Sequence, residues 1–338
     1  MHHRIPEAVD LKHGTSYVDI AKARNVDQSF LERMIRFCTH DLIFQELVPG
    51  HVSHTVSSAA LVTDTGLRAL VYLNVEDTAR ACTKLIEAQE KWPNSEESTH
   101  SPWNVAYDTN VHVFASRSGP NYEEWAKAFS DMMEYDNKQP LYNLRHAVEA
   151  YDWHNVDETV DIGGGTGDLG LALANAYDNL QVYAADREGT IATGTASIPS
   201  MPRLHFVACD FFAPLPKAIA HKKIYLLRRI LHDWSDKFSV KIIHNLLPAL
   251  KSGAKMLVMD MVLPEPGALP ESLDRTIRGS DLLMKHVLNG KERSKSEWQR
   301  LFTSVDRDLV IISTARPEGS AMSLMEVGLE KGGVTGLN

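Results

Sequence analysis

The stretch VDIGGGTGDLG, Val160 to Gly170, carries five glycines and two aspartates behind a short apolar run. Such a run followed by glycines reads as a strand entering a tight turn, with a helix opening near Asp168 or Leu169. Glycine is needed where φ is positive and where a ligand lies against bare main chain. A glycine-rich turn without a ligand fits this density poorly. Gly165-x-Gly167-x-x-Gly170 also matches the dinucleotide fingerprint, but that pattern alone is weak and its neighbours must choose the ligand.

Outward from the turn, short apolar runs alternate with helical patterns: ETVDIG (158–163), LQVYAAD (180–186), LHFVACD (204–210), IYLLR (224–228), KMLVMDMV (255–262) and DLVIIST (308–314). Strands alternating with helices imply a parallel sheet wrapped on both faces over most of residues 155–330. The glycine turn then lies at the carboxyl edge of the sheet, where ligands bind. DLVIIST and AMSLMEV (321–327) are separated only by ARPEGS, too short for a crossover helix, so they form an antiparallel hairpin at one edge. Asp186 ends the second strand about 20 residues beyond the glycines, where an acidic side chain binds ribose hydroxyls. That fits NAD and S-adenosylmethionine equally well. Asp210 closes the third strand ahead of Phe211 and Phe212, aromatics suited to sandwiching an adenine. A dehydrogenase also needs a hydride site, and the chain has no YxxxK, so the nicotinamide reading comes second.

Upstream, residues 16–47 read as two helices, Ser16 to Ala23 and Gln28 to Leu47, broken at Val26. Phe30, Met34 and Cys38, with Leu31 and Ile35 beside them, make one apolar face. His51 to Val62 turns β-branched and small, as the wing of a winged helix does. A DNA-reading helix would need basic residues outward, yet Arg33, Arg36 and His40 are offset by Glu32, Asp41 and Glu46. The winged helix is therefore read as a packing module. Residues 66–92 and 121–151 read as helical, and Trp92 to Trp103 as a polar loop.

The 338 residues suffice for two domains, divided here as 1–150 and 151–338, and 43% hydrophobic content supports a buried core. A net charge of -9 without a Lys/Arg block argues against nucleic acid and toward a small-molecule substrate. Cys38, Cys82 and Cys209 are far apart and lack metal-ligand spacing, so no metal site is expected and the thiols read as reduced. No apolar run reaches the roughly 18 to 20 residues of a membrane span, and the Met-His-His-Arg start is not that of a signal peptide. The expectation is a cytoplasmic protein.

VDIGGGTG, AAD at 184–186, CDFF at 209–212, LLRRILHDWSD at 226–236 and GSDLLMKHVLNGKER at 279–293, in that order, resemble the class I S-adenosylmethionine-dependent O-methyltransferases of the plant caffeate type and their fungal secondary-metabolism relatives. HDWSD combined with GKER is far more specific than the glycines. The resemblance, over residues 15 to 330, implies a Rossmann-like doubly wound α/β sheet plus an N-terminal, mostly helical winged-helix domain. It implies S-adenosyl-L-methionine as cofactor and S-adenosyl-L-homocysteine as its product.

Methyl transfer is an in-line displacement in which the acceptor hydroxyl also loses a proton. A phenol of pKa near 10 is mostly protonated at neutral pH, so a histidine base is worth about 10²- to 10⁴-fold. His232, just after IYLLR, stands at the ligand edge where such a base belongs; its structural alternative is a histidine that caps a helix with Asp233. By resemblance Asp260 and Glu292 flank it, Asp260 in place of a plant glutamate. The resemblance assigns Gly163, Gly164, Gly165, Asp186 and Arg187 to the cofactor. Asp210, Phe211, Phe212 and Arg228 join them, Arg228 replacing a lysine, with Trp234 near the adenine. It assigns Trp125, Phe129, Met132 and Met133, and then Asp281, Met284, Lys285 and Asn289, to the acceptor pocket. Such Met and aromatic stripes are more often plain core.

Family members usually interlock as dimers through a longer helical N-terminus; this chain begins close to the winged helix and lacks it, so a homodimer is left as an open expectation. Lys285, costly in an apolar pocket, motivates a second function: a fungal pericyclase or dehydratase on the same fold that keeps the cofactor without methylating. A non-enzymatic DNA-binding or scaffold protein is the third; it requires no His-Asp-Glu set.

Overall fold

The computed structural model describes residues 2–117 and 123–330. The chain divides into two compact units, one of Met1–Ala79 with Arg117–Tyr135 and one of Arg80–Ser116 with Asp136–Asn338. The division does not fall at residue 150. Residues 136–150 pack with the sheet that follows them, because Ala147 is buried in its core with Leu141, Tyr142, Leu144 and Val148 against it.

In the first unit, strand β1 (Thr15–Ser16) leads into helices Tyr17–Arg24 and Gln28–His40, then strands β2 (Phe44–Val48) and β3 (His51–His54). The sheet order is β1-β3-β2, the arrangement of a winged helix. Two expectations are corrected. The second helix ends at His40 rather than Leu47: Leu42 turns left-handed at φ 57°, and residues 44–48 pair antiparallel with β3 as one arm of the wing. The wing in turn stops at His54. Thr55 and Ser58 cap each other's backbone N–H groups, and that reciprocal cap starts the helix Val56–Thr63 despite its β-branched residues.

The face turned inward is also narrower than the pattern suggested. Leu31 and Ile35 are buried with Tyr17, Ile20, Phe44 and Val52. Phe30 and Met34 are instead 57% and 48% exposed, beside Phe37 at 69%. Arg36, a candidate for DNA contact, is tied to Glu46 at 2.9 Å.

The second unit is built on a seven-stranded sheet. Its strands are β4 (Glu158–Ile162), β5 (Gln181–Asp186), β6 (Leu204–Ala208), β7 (Ile224–Arg228), β8 (Lys255–Asp260), β11 (Leu309–Ala315) and β12 (Ser323–Leu329); β9 (Val262–Leu263) and β10 (Arg293–Ser294) form a separate parallel pair. The order is β11-β12-β8-β7-β4-β5-β6, with β4 to β8 parallel and β12 antiparallel to both neighbours. The C-terminal hairpin thus forms one edge, as its short connection predicts.

Period-two alternation sorts the strand residues into two cores. Tyr225, Leu227, Met256 and Val258 face one helical layer, and Leu226, Leu257 and Met259 face the other. Strands buried on both faces explain why these runs are continuously apolar. Every parallel strand ends at the same edge, which gathers Asp161, Asp186, Arg228 and Asp260 there. The pairing of Val262 with Arg293 brings the GKER segment to that edge as well.

Candidate active site

The glycine turn is shaped by its backbone. Gly163, Gly165 and Gly167 all have positive φ, at 71°, 59° and 92°, and the helix Asp168–Ala176 starts directly after Gly167. A Cβ on Gly163 would strike Ile230 at 2.3 Å, and one on Gly164 would stand 2.8 Å from Asp161 Oδ2, whereas Gly165 faces open space. Asp186 accepts the Gly165 N–H at 2.9 Å and the Arg187 N–H at 2.7 Å, so the second strand's aspartate pins the turn.

Asp161 is 3% exposed and its Oδ2 has no hydrogen-bond partner among the described residues. Burial first, and the charge of Asp186 next, outweigh Arg228 and lift its pKa to about 7. Asp210 accepts the Phe212 N–H at 2.9 Å. Beside it Phe212 meets Trp234 edge to face at 4.7 Å, with Phe211 and Phe238 at 6.0 and 5.9 Å. His112 stacks on Trp234 at 4.7 Å, a member of this cluster that the sequence did not reveal. Burial and then the Arg187 charge lower its pKa to about 4.

Two expected cofactor residues are engaged elsewhere. Arg187 donates to the Phe114 carbonyl at 3.1 Å. Arg228 donates to Asn137 Oδ1 at 2.9 Å and to the Tyr142 carbonyl at 2.5 Å; burial and neighbouring Arg229 bring its pKa down to about 10.

His232 lies in a short turn, Leu231–Asp233, beyond β7 and is 4% exposed. Its Nδ1 is 2.8 Å from Glu292 Oε1 and its Nε2 is 3.4 Å from Asp233 Oδ1. Burial of the ring opposes protonation, but the carboxylates of Glu292, Asp233 and Asp260 outweigh it and raise its pKa to about 9. Asp233 is pushed up to about 6 by burial, against the pull of His232 and Arg229. Asp260 joins this cluster without bonding the imidazole: it is fully buried and neither oxygen has a hydrogen-bond partner among the described residues. Of Asp260 and Glu292, Glu292 makes the hydrogen bond to the ring.

The structure explains why HDWSD and GKER carry the signal together. Gly290 lets the GKER segment approach the histidine turn, since a Cβ there would lie 2.3 Å from the His232 carbonyl oxygen. The Lys291 N–H donates to that carbonyl at 3.0 Å. Arg293, 0% exposed, donates to the carbonyls of Leu231 and Trp234 at 2.9 and 2.8 Å and to Asp236 at 2.8 Å. One guanidinium thus holds both ends of the turn that carries His232. Asp233, Gly290 and Arg293 were not singled out as site residues by the sequence, although all three lie inside the two motifs.

Of the expected acceptor residues, Asp281 accepts the Glu292 N–H at 2.9 Å, and Met284 is buried in the same helix, Glu271–Leu288. One turn on, Lys285 donates to Asn289 at 2.6 Å, and Asn289 donates to the carbonyls of Ser95 and Glu97. Lys285 borders a groove with Leu85, Trp92 and His100, and burial lowers its pKa. Trp125 and Phe129 stack at 5.3 Å, and Trp125 donates to Asp77 at 2.7 Å. Met132 and Met133 lie on the same helix, Glu123–Lys138. Among the described residues no cluster of His, Cys, Asp or Glu is arranged to hold a metal, and no helix is long and apolar enough to cross a membrane.

A doubly wound sheet with an antiparallel edge hairpin, and a His–carboxylate pair over its carboxyl edge, defines a Rossmann-like enzyme of the methyltransferase class. Residues 92–306 match the O-methyltransferase domain family, and the chain belongs to it. The O-methyltransferase AMT9 of Alternaria alternata is 36% identical over 311 residues, 89% of this chain and 71% of that protein. O-methyltransferase VdtC of Byssochlamys spectabilis is 32% identical over 335 residues, 96% of this chain and 76% of that protein. In fold the chain is similar to the mitomycin 7-O-methyltransferase MmcR (TM-score 0.81, 21% identity, 97% of this chain, 91% of that one) and to LepI in complex with SAM (0.76, 19%, 96% and 83%).

Proposed function

We propose that the protein transfers the methyl group of S-adenosyl-L-methionine to a phenol or enol hydroxyl of a small aromatic or polyketide-type secondary metabolite, with His232 as general base. The observation that carries this reading is the 2.8 Å contact from His232 Nδ1 to a buried Glu292. It fixes the tautomer with Nδ1–H on the carboxylate and leaves Nε2 as the basic atom. Glu292 and the Arg293 clamp fix the ring, so the base does not reorganise during the reaction.

The sheet edge fits the cofactor. A buried Asp161, its Oδ2 without a hydrogen-bond partner among the described residues, suits an ammonium group, Asp186 and Asp210 suit vicinal hydroxyls, and Phe211, Phe212 and Trp234 suit an adenine. Three carboxylates at one edge, with Asp168 in the first turn of the adjoining helix, oppose a pyrophosphate and weigh against NAD. Gly163, Gly164 and Gly165 form the floor. Arg187 and Arg228 take part by bracing the surrounding loops.

When bound, the cofactor supplies an electrophilic methyl on a sulfonium. The chain must remove the hydroxyl proton and align the oxygen. Nε2 takes that proton, and Asp233, 3.4 Å away, stabilises the imidazolium formed. Because the pKa of His232 is raised to about 9, the base form grows as pH rises; a bound sulfonium opposes that shift by like-charge repulsion.

Asp281, which accepts the Glu292 N–H, and Met284, buried on the same helix, are assigned to the acceptor. Lys285 and Asn289, and Trp125, Phe129, Met132 and Met133, are assigned by family resemblance alone. A homodimer is part of this reading, supported by the exposed Phe30, Met34 and Phe37 stripe on one helix.

Methyl-labelled S-adenosylmethionine incubated with a panel of phenols and enols tests the assignment. Label in an O-methylated product supports it. Consumption of an acceptor with rearrangement or dehydration and no label transfer would turn the reading to the pericyclase.

A further inference from the structure

Three carboxyl groups, Asp233, Asp260 and Glu292, act on one buried imidazole, Asp260 and Glu292 being buried with it. Asp233 comes from the histidine turn, Asp260 from the end of β8 and Glu292 from the segment leading into β10. The cations facing the cluster are committed elsewhere. Arg293 is bound to Asp236 and to the carbonyls of the histidine turn, and Arg228, at the end of β7, to Asn137 and Tyr142. Arg229 pairs with Asp136 at 3.3 Å.

Three anions around a single imidazolium, two of them buried and Asp233 19% exposed, leave excess negative charge, and like charges in one site drive at least one acid to keep its proton. Hydrogen bonds select which. Glu292 Oε1 meets His232 Nδ1 and accepts from Ser280 Oγ at 3.3 Å, and Asp233 stands 3.4 Å from Nε2. Asp260 alone is fully buried with both oxygens unpartnered among the described residues.

We infer that at and below neutrality Asp260 is held as the neutral carboxylic acid, a positioning residue that limits the negative charge around His232, while Glu292 bonds and orients the ring. Burial, ahead of Glu292 and Asp233 and against His232 and Arg293, raises its pKa to about 7, consistent with that form at and below neutrality. This inference rests on the reading of His232 as a base.

Infrared difference spectra of the intact enzyme, wild type minus Asp260→Asn, at a pH below about 7, read the acid directly. The expected result is a protonated-carboxyl C=O band present in the wild type and lost in the variant, whereas its absence overturns the inference. With a methylatable acceptor, Asp260→Asn, isosteric with the neutral acid, should leave the shape of the pH–rate profile below about 7 as in the wild type; a profile displaced to lower pH there means that a carboxylate was removed and overturns the inference. In serine hydrolases, amidating the carboxylate that orients a catalytic histidine costs about 10⁴-fold; a loss on that scale here would assign Asp260 that job and overturn the inference. If Asp260→Asn does not fold, Asp260→Ser gives the same infrared comparison. The band is read without turnover, so a protein that methylates nothing would contradict the function while leaving the protonation state measurable.

Discussion

At the residue scale, the site depends on a few buried polar groups whose neighbours set their charge. Arg293 has no substitute in its fork: with Arg293→Met, the buried carbonyls of Leu231 and Trp234 lose their charged donor and are left to share the single Ser239 hydroxyl, at 3.2 and 3.3 Å. Each unsatisfied group costs about 1–3 kcal/mol, so the variant should melt earlier and lose kcat because the His232 turn relaxes. Thermal denaturation and steady-state kinetics check this. Asp260 affects stability with a definite sign. An acid whose pKa rises on folding, from 3.8 to about 7, binds more protons folded than unfolded between those values, so its contribution is present below 3.8 and lost as pH rises through about 7. Asp260→Asn removes that loss and should raise Tm at pH above about 7 relative to wild type, by calorimetry. Asp161, the glycines and His232 were legible in the sequence because strand ends and turns are local features. His112 was not, because it reaches Trp234 across more than a hundred residues and its own segment has no distinctive pattern.

At the element scale, Gly290 decides how closely two segments approach. Gly290→Ala places a Cβ 2.3 Å from the His232 carbonyl oxygen, and the opposing atom is backbone, which cannot swing aside. The variant should fall in activity through displacement of Glu292, read as lower kcat with cofactor affinity retained. The central strands were legible almost to the residue because runs buried on both faces are continuously apolar, and β5, β7 and β8 each end at a charged residue, Asp186, Arg228 and Asp260. The wing was not. Residues 41–47 continue the apolar content of the preceding helix, and only the left-handed Leu42 and the pairing of Phe44–Val48 with His51–His54 make them a strand. Helical spacing also could not tell which side of Gln28–His40 faces inward, since Phe30, Leu31, Met34 and Ile35 together wrap half the helix. The outward stripe of Phe30, Met34 and Phe37 gives a further expectation: Phe37→Glu, 69% exposed in the wild type, should convert a dimer to monomer by light scattering while preserving the melting of the isolated chain.

At the scale of the whole molecule, one sheet edge collects carboxylates from β4, β5, β7's turn and β8, and the GKER segment returns to clamp the turn that holds the base. Two motifs about sixty residues apart in sequence therefore form a single object, and the glycine turn gains its meaning from them. The measurement that tests the central claim most directly is the pH–rate profile of methyl transfer to a phenol by wild type and by His232→Asn, with homocysteine-product binding measured alongside. If His232 is the base, the wild-type rate rises to a plateau with a limb at or below about 9. The variant then falls by about 10²- to 10⁴-fold near neutrality and recovers as pH approaches the phenol's own pKa near 10, with product affinity retained. A His232→Asn enzyme that matches wild type near neutral pH would contradict the account.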